Sequence, residues 1–418
     1  MTRNLRSALR LLVVCGMTHL WLGTFPTPIQ AGAPVELEVA TWHWAEPARG
    51  AVLRDMVAQF SREYPGITIK EVSVPYPRYV EQMLLRLSGG SPPDVMVASD
   101  ALFTFADRGY LAALEAFPGL KRMFDEDRSD FVDAQGMANI GGHTYGMVIH
   151  FTTYALLYNE KLLSQAGITK PPTTPQEFLA VATKLTKAPD QYGYATRHSI
   201  NEEVGWWYEL SYWVGGFGGK WAASGKPTVN TPQVVNGVKY FKQLYDAGVF
   251  PKGVDAATYR RMFWQEKVSM LTDNNAVYFI TKSQNPAIEL RAASNPFSPP
   301  VTLGEVSLFT IPKEAKHQQE AVIFVDWFRK HLKEYGMKLQ NLVGSKAANK
   351  EILTAFPYLS AFVDAPFNKA GVLPEGYETR MPEFRHTVLQ HVTNVLVNNA
   401  DAAAEMRTAQ TEIEKMRQ

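Results

Sequence analysis

HTYGMVIHFTTYALLYNEKLLSQAGITKPPTTPQEF, running from His143 to Phe178, is the stretch on which the reading of this chain turns. A Tyr145-Gly146 pair opens it and an apolar run follows. Leu157-Tyr158-Asn159-Glu160-Lys161 comes next, then an Ala166-Gly167 stop and a double proline, Pro171-Pro172. Thr174 reads as an N-cap, with Pro175 at the first helical position and Glu177 three residues on, the pattern of a capping box. Phe178, Val181, Ala182 and Leu185 then recur at helical spacing and mark that helix's inner face.

Upstream, Val35, Leu37 and Val39 alternate with polar residues, which predicts a first strand ending near Thr41. Val52, Leu53, Met56, Val57, Phe60 and Tyr64 follow helical spacing until Pro65-Gly66. Ile67 to Val74 reads as a second strand. Tyr76 to Leu87 reads as a helix closed by Ser88-Gly89-Gly90, and Asp94 to Ala98 as a short buried third strand. Strands alternating with helices predict a mostly parallel sheet covered on both faces. Downstream, Thr231-Pro232 starts another helix that ends at Gly248. Val268–Leu271 and Val306–Ile311 are strand candidates. The last third reads as helical, around Ala321 to Leu332 and Phe384 to Glu414. No low-complexity linker or internal repeat separates these parts, so two lobes would require a chain that crosses between them more than once.

The 418 residues suffice for two or three domains or two lobes of one architecture. Arg3, Arg6 and Arg10, the apolar run Leu11 to Gly23 and the small residues Ala31, Gly32 and Ala33 have the form of a secretory signal at 1–31. Cleavage after Ala31 is preferred over Ala33, because Pro34 would directly follow the second cut. The apolar run, interrupted by His19, falls short of the roughly 20 residues that a membrane span needs. Cys15, the one cysteine, lies inside that segment, so the mature chain has neither disulfide nor thiol chemistry. Val14 before it argues against lipidation, which normally follows a small residue. The formal net charge of +1 loses three arginines with the signal, and so gives no electrostatic reason to expect nucleic acid or an anionic membrane as partner.

Catalytic motifs are sparse. There is no Gly-x-Ser-x-Gly elbow and no His-Glu-x-x-His helix. Gly215-Gly216-Phe217-Gly218-Gly219-Lys220 imitates a phosphate loop, but Val214 and Trp221 hold the positions that would need glycine and Ser or Thr. The nine histidines form no i, i+4 pair, and neither a metal nor a cofactor is expected. Glu202-Glu203 could flank a glycosidic bond, but adjacent helical residues point apart.

Ligands of open parallel sheets bind beyond the carboxyl ends of the strands. That rule selects Trp42, His43, Trp44 and Glu46 after the first strand, Tyr76 after the second, and Ser99 and Asp100 after the third. Aromatic faces with short acceptors suit a polyhydroxylated ligand. Trp42 and Trp44 share one face by period two, so they line a pocket or form a core stripe together. In Trp206-Trp207-Tyr208, continuing to Tyr212-Trp213, Trp206, Leu210 and Trp213 share a helical face that reads as core. Trp207 lies off that face and is the ligand candidate.

Several of these pieces, in this order, resemble the bacterial extracellular solute-binding proteins of family 1, the sugar-binding, maltodextrin-binding-like components of ABC importers. They are Asp94 to Asp100 with Gly109-Tyr110-Leu111, Tyr145-Gly146 through Phe178, Tyr192-Gly193-Tyr194-Ala195, and Phe263 to Met270. The similarity runs from Val35 to about Gln418. It implies an α/β, two-lobed periplasmic-binding-protein fold, each lobe a mostly parallel sheet flanked by helices, with hinge crossings near Val148–Phe151, Met270–Asn274 and Ala321–Arg329. The lobes would comprise 32–148 plus 272–325, and 149–271 plus 326–418. The resemblance further implies a non-enzymatic, monomeric periplasmic protein carrying a sugar, polyol or sugar acid to an inner-membrane ABC permease. The alternatives are a secreted carbohydrate-active enzyme and a protein presenting its ligand to a membrane sensor.

By position, Asp100 matches a family acid, Asn274 and Asn275 follow a returning strand that often contacts ligand, and Arg385 stands where maltodextrin binders place an aromatic. Three departures stand out. His150 occupies a crossing that lacks the usual proline. Glu266 replaces a glycine before Lys267. Arg385 suits a carboxylate, a phosphate or a small polyol, or pairs with an acid of the protein itself.

Overall fold

The computed structural model describes residues 34–301, 303–363 and 371–416. The expected signal segment and its cleavage site lie outside the described residues. One seven-stranded sheet runs through the molecule. Its strands, numbered along the chain, are β1 (Val35–Thr41), β2 (Ile67–Ser73), β3 (Val95–Ala98), β4 (Met147–Asn159), β5 (Met270–Asn274), β6 (Leu290–Ala293) and β7 (Gly304–Thr310). The order is β6-β4-β7-β3-β1-β2, with β5 also on β4. β1 pairs parallel with β2 and β3, whereas β4 meets β5, β6 and β7 antiparallel. The sheet is therefore mixed, not mostly parallel. The reason is topological, since β7 returns directly between β3 and β4 and runs against both.

β4 is the apolar run of the decisive stretch, buried along nearly all of its 13 residues. Its first half pairs with β7, from Met147 opposite Phe309 to Thr153 opposite Gly304. Its second half pairs with β5, from Tyr154 opposite Asn274 to Tyr158 opposite Met270, and with β6. The change of partner falls at Thr153–Tyr154, where only glycine fits. A Cβ on Gly304 would lie 1.9 Å from the Thr152 carbonyl oxygen. The exchange comes a few residues later than Val148–Phe151, and β5 and β6 both lie against the far half of β4.

The capping box forms with a small change. Thr174 Oγ1 accepts from Glu177 N at 3.2 Å, while the Glu177 carboxylate reaches one residue further back, to Thr173 N at 2.8 Å. The long periodic run at the C-terminus divides into two helices, Met381–Val397 and Ala402–Lys415. Asn399 takes a left-handed φ of 55° between them, and Asp401 caps the second by accepting from Ala404 N. Among the described residues no helix is long and apolar enough to cross a membrane.

Candidate functional site

A cavity of about 800 Å³ opens between the two ends of this sheet. One wall comes from the loops after β1 and β2 and from β7: Trp42, Glu46, Arg49, Tyr76 and Glu305. The facing wall comes from the start of β4's second half and from the helices Glu203–Gly216, Ala256–Trp264 and Asn275–Gln284. It contributes Tyr154, Arg197, Tyr208, Arg260 and Asn274, with Val277, Phe279 and Ile280 forming an apolar strip.

Of the eleven residues selected from sequence, Trp42, Glu46, Tyr76 and Asn274 line this cavity. Trp42 packs edge-on against Tyr76 and Tyr79, at 5.2 and 4.9 Å between ring centres. Trp44 points the other way. Its ring is buried, and its Nε1 donates to the Val39 carbonyl at 2.9 Å. The two tryptophans part because Trp42–Ala45 is a 3-10 turn capped by Thr41. Three residues per turn replace the period of two, so positions two apart no longer share a face.

Trp207 is a core residue. It is fully buried, stacks on Trp221 at 4.5 Å and donates its Nε1 to the Val372 carbonyl at 2.8 Å. Its helix is buried on every side from Trp206 to Gly215, so lying off one apolar face does not bring a side chain to the cavity. Glu203, Val204, Gly205 and Tyr208, from its first two turns, are what that helix presents. His150 is also buried, 4.9 Å from the ring of His43, and burial holds both imidazoles well below the usual histidine range. Asn275 is buried and donates its side-chain amide to Asn341. Ser99 is buried and lies outside the cavity lining. Asp100 and Arg385 also lie outside the lining, and they meet each other at 3.3 Å. Arg385 reaches Glu203 at 3.6 Å as well, so its guanidinium has acidic partners on both sides.

Most charged groups that sequence reading missed are held by pairing with an acid of the protein. Arg260 makes two parallel bonds of 2.8 Å to Asp273 at the end of β5. Arg197 pairs with Glu209, which also accepts from Thr196 Oγ1 at 2.7 Å and from the Tyr259 hydroxyl at 3.0 Å. Burial raises the Glu209 carboxyl above the usual range against the pull of Arg197. Arg49 pairs with Glu46 at 3.1 Å. Glu305 stands directly opposite Thr152 across β7 and β4, and among the described residues its carboxylate accepts only the Thr152 hydroxyl, at 3.3 Å. Desolvation, set against the attraction of Arg49 and reinforced by Asp100 and Glu46, pushes it up to about 7. A lone acid in an otherwise uncharged strand, Glu305 before Val306 to Thr310, was the available sequence signal. Among the described residues no group of His, Cys, Asp and Glu is arranged to hold a metal ion.

Residues 44–331 match the family described as bacterial extracellular solute-binding protein. The chain belongs to that family. A putative binding protein of Brucella abortus is 24% identical over 312 residues, covering 72% of this chain and 74% of the relative. The maltotriose-binding protein of Pyrococcus abyssi is 23% identical, over 70% and 62%. Among solved structures, an ABC transporter solute-binding protein of Thermotoga lettingae bound with α-D-tagatose superposes with a TM-score of 0.79 at 17% identity, covering 92% of this chain and 99% of that one. A Listeria monocytogenes ABC substrate-binding protein in complex with cycloalternan gives 0.77 at 20% identity, with the same coverage. An Agrobacterium radiobacter solute-binding protein in complex with ribitol gives 0.75 at 19%, again over 92% and 99%. The extracellular solute-binding family is one of binders, not enzymes, and its two-lobed architecture is the fold seen here.

Proposed function

We propose that this chain is the periplasmic substrate-binding component of an ABC importer, and that it closes two lobes around a sugar or a related polyol. The observation that carries the reading is the cavity itself. Four aromatic side chains, Trp42, Tyr76, Tyr154 and Tyr208, stand beside carboxylates and guanidiniums from both walls. Aromatic faces cover the C–H faces of a sugar ring while charged groups bond its hydroxyls. An 800 Å³ cavity accommodates more than one sugar unit. Relatives crystallised with an oligosaccharide, a ketohexose and a polyol support the same class. The lining guanidiniums are each engaged by an acid of the protein, which favours a ligand without negative charge.

The strand pairing supports lobes comprising 34–153 with 304–356, and 154–293 with 371–416. The chain would then cross at Thr153–Tyr154, between Ala293 and Gly304, and between Pro357 and Gly371. A ligand touching both walls draws such a molecule closed by as much as its affinities for the open and closed states differ. The protein is assigned as a monomer exported by a cleaved signal at 1–31, with the permease as partner.

A thermal-shift screen against mono- and disaccharides, polyols, sugar acids and glycerol phosphodiesters tests the class. A ligand at a hundredfold excess over its Kd adds about 2.7 kcal/mol to the folded state. A shift with sugars or polyols, and compaction by X-ray scattering with the same compound, is the expected result. Shifts confined to sugar acids or phosphodiesters, or a tight ligand without compaction, would overturn it. Within the cavity, Trp42→Ala should weaken that ligand by about 1–3 kcal/mol through lost contact area. Trp44→Ala should leave the affinity in place, and equal losses in both variants would contradict the assignment.

A further inference from the structure

We infer that the solute carries a protonated amine, and that Glu305 selects it. This rests on the carbohydrate reading and narrows it to an amine-bearing sugar or polyol. Most charges lining the cavity are already answered by partners within the protein. Arg260 is held by both oxygens of Asp273, Arg197 by Glu209 and at 3.5 Å by Glu202, and Arg49 by Glu46. Glu305 is the exception. Among the described residues no cation lies within ion-pair distance of it, and its one bond is to the Thr152 hydroxyl. Glu305 is half-buried; a carboxylate partly withdrawn from water without a cation is unfavourable, and a ligand cation is the group that would relieve it.

The surroundings of Glu305 point the same way. Asp100 after β3 and Glu46 after β1 add negative charge around it, although each is paired with a cation of its own, Arg385 and Arg49. Tyr154 and Tyr208 stack face to face at 5.9 Å, and both line the same cavity. Burial, and then the charges of Asp100 and Glu305, disfavour ionisation of the Tyr208 hydroxyl, so that ring stays neutral beside the two acids. No described residue hydrogen-bonds the hydroxyls of Tyr154 or Tyr208, which leaves them free for ligand hydroxyls. Neutral aromatic faces around an unanswered carboxylate are the chemistry that recognises an ammonium group, by charge pairing and by cation–π attraction. A carboxylate or phosphate ligand would meet Glu305 with no unpaired guanidinium among the described lining residues to offset it.

The test compares D-glucose, D-galactose and D-mannose with their 2-amino and 6-amino-6-deoxy forms and with the uncharged N-acetyl derivatives, by calorimetry on the wild-type protein at pH 7.5. At least one amine should bind ten times more tightly than both its parent sugar and its N-acetyl form. In Glu305→Gln that preference should fall to threefold or less. The preference should also shrink in the wild type as the pH is lowered from 7.5 to 5.5, because Glu305 takes up a proton through about 7. The pH series reads the same charge should the variant fail to fold. Parent sugars that bind as well as every amine would overturn the inference and leave the carbohydrate reading intact. Absence of binding by the whole panel would overturn the inference, and the carbohydrate reading with it if the disaccharides and polyols of the thermal-shift screen also give no shift.

Discussion

Replacing Arg197 by methionine should cost about 3–5 kcal/mol of folding stability, because it leaves the Glu209 carboxylate buried without its counter-charge. Glu209 has no solvent exposure, and without Arg197 its remaining side-chain partners are the hydroxyls of Thr196 and Tyr259. The loss should depend on pH in a set direction. Burial already raises this carboxyl, and without the guanidinium it rises further. A carboxyl raised in the folded state destabilises that state as the pH climbs above the unfolded value, near 4.5. The deficit should therefore be larger at pH 8 than at pH 5. Arg197→Met with Glu209→Gln should recover part of it, since a neutral amide is less unfavourable to bury than a charge. Urea unfolding followed by tryptophan fluorescence measures all of these. A single variant within 1 kcal/mol of wild type would mean that the pair does not hold the structure as its geometry implies.

Trp207→Ala should be about as damaging, at roughly 3–5 kcal/mol. The ring fills the space between Trp221 and Phe384, with centres at 4.5 and 6.2 Å. Its removal also strands the Val372 carbonyl that its Nε1 now satisfies. The variant separates two roles. A core tryptophan loses stability while the folded fraction keeps the wild-type Kd for its ligand. A cleft tryptophan would lose affinity at nearly unchanged stability, and that outcome would move the site.

Much of the frame was legible because it rests on local chemistry. The cap at Thr174, the stop at Pro65-Gly66 and the alternation of Val35, Leu37 and Val39 each act within a few residues. The structure has an element at each. The family pieces add order and spacing, enough to expect two lobes and a solute between them. Individual contacts were less legible. Trp42 and Trp44 were tied together by a strand period that ends one residue before them, where a 3-10 turn begins. Trp207 was separated from the core by a helical face, on a helix that has no exposed face over that length.

The succession of strands and helices, the family, and the aromatic and acidic character of the loops that follow β1 to β3 are written in the linear chain. Those depend on periodicity, caps and turn residues, which a linear string displays. Which side chain meets the cavity was decided only by tertiary structure. Glu305 gains its surroundings from Thr152, 153 positions away, and Arg385 finds Asp100 across 285. The charge left unanswered in the cleft is whatever remains after such pairings form. A pairing set by how the folded chain crosses itself leaves no local pattern to read.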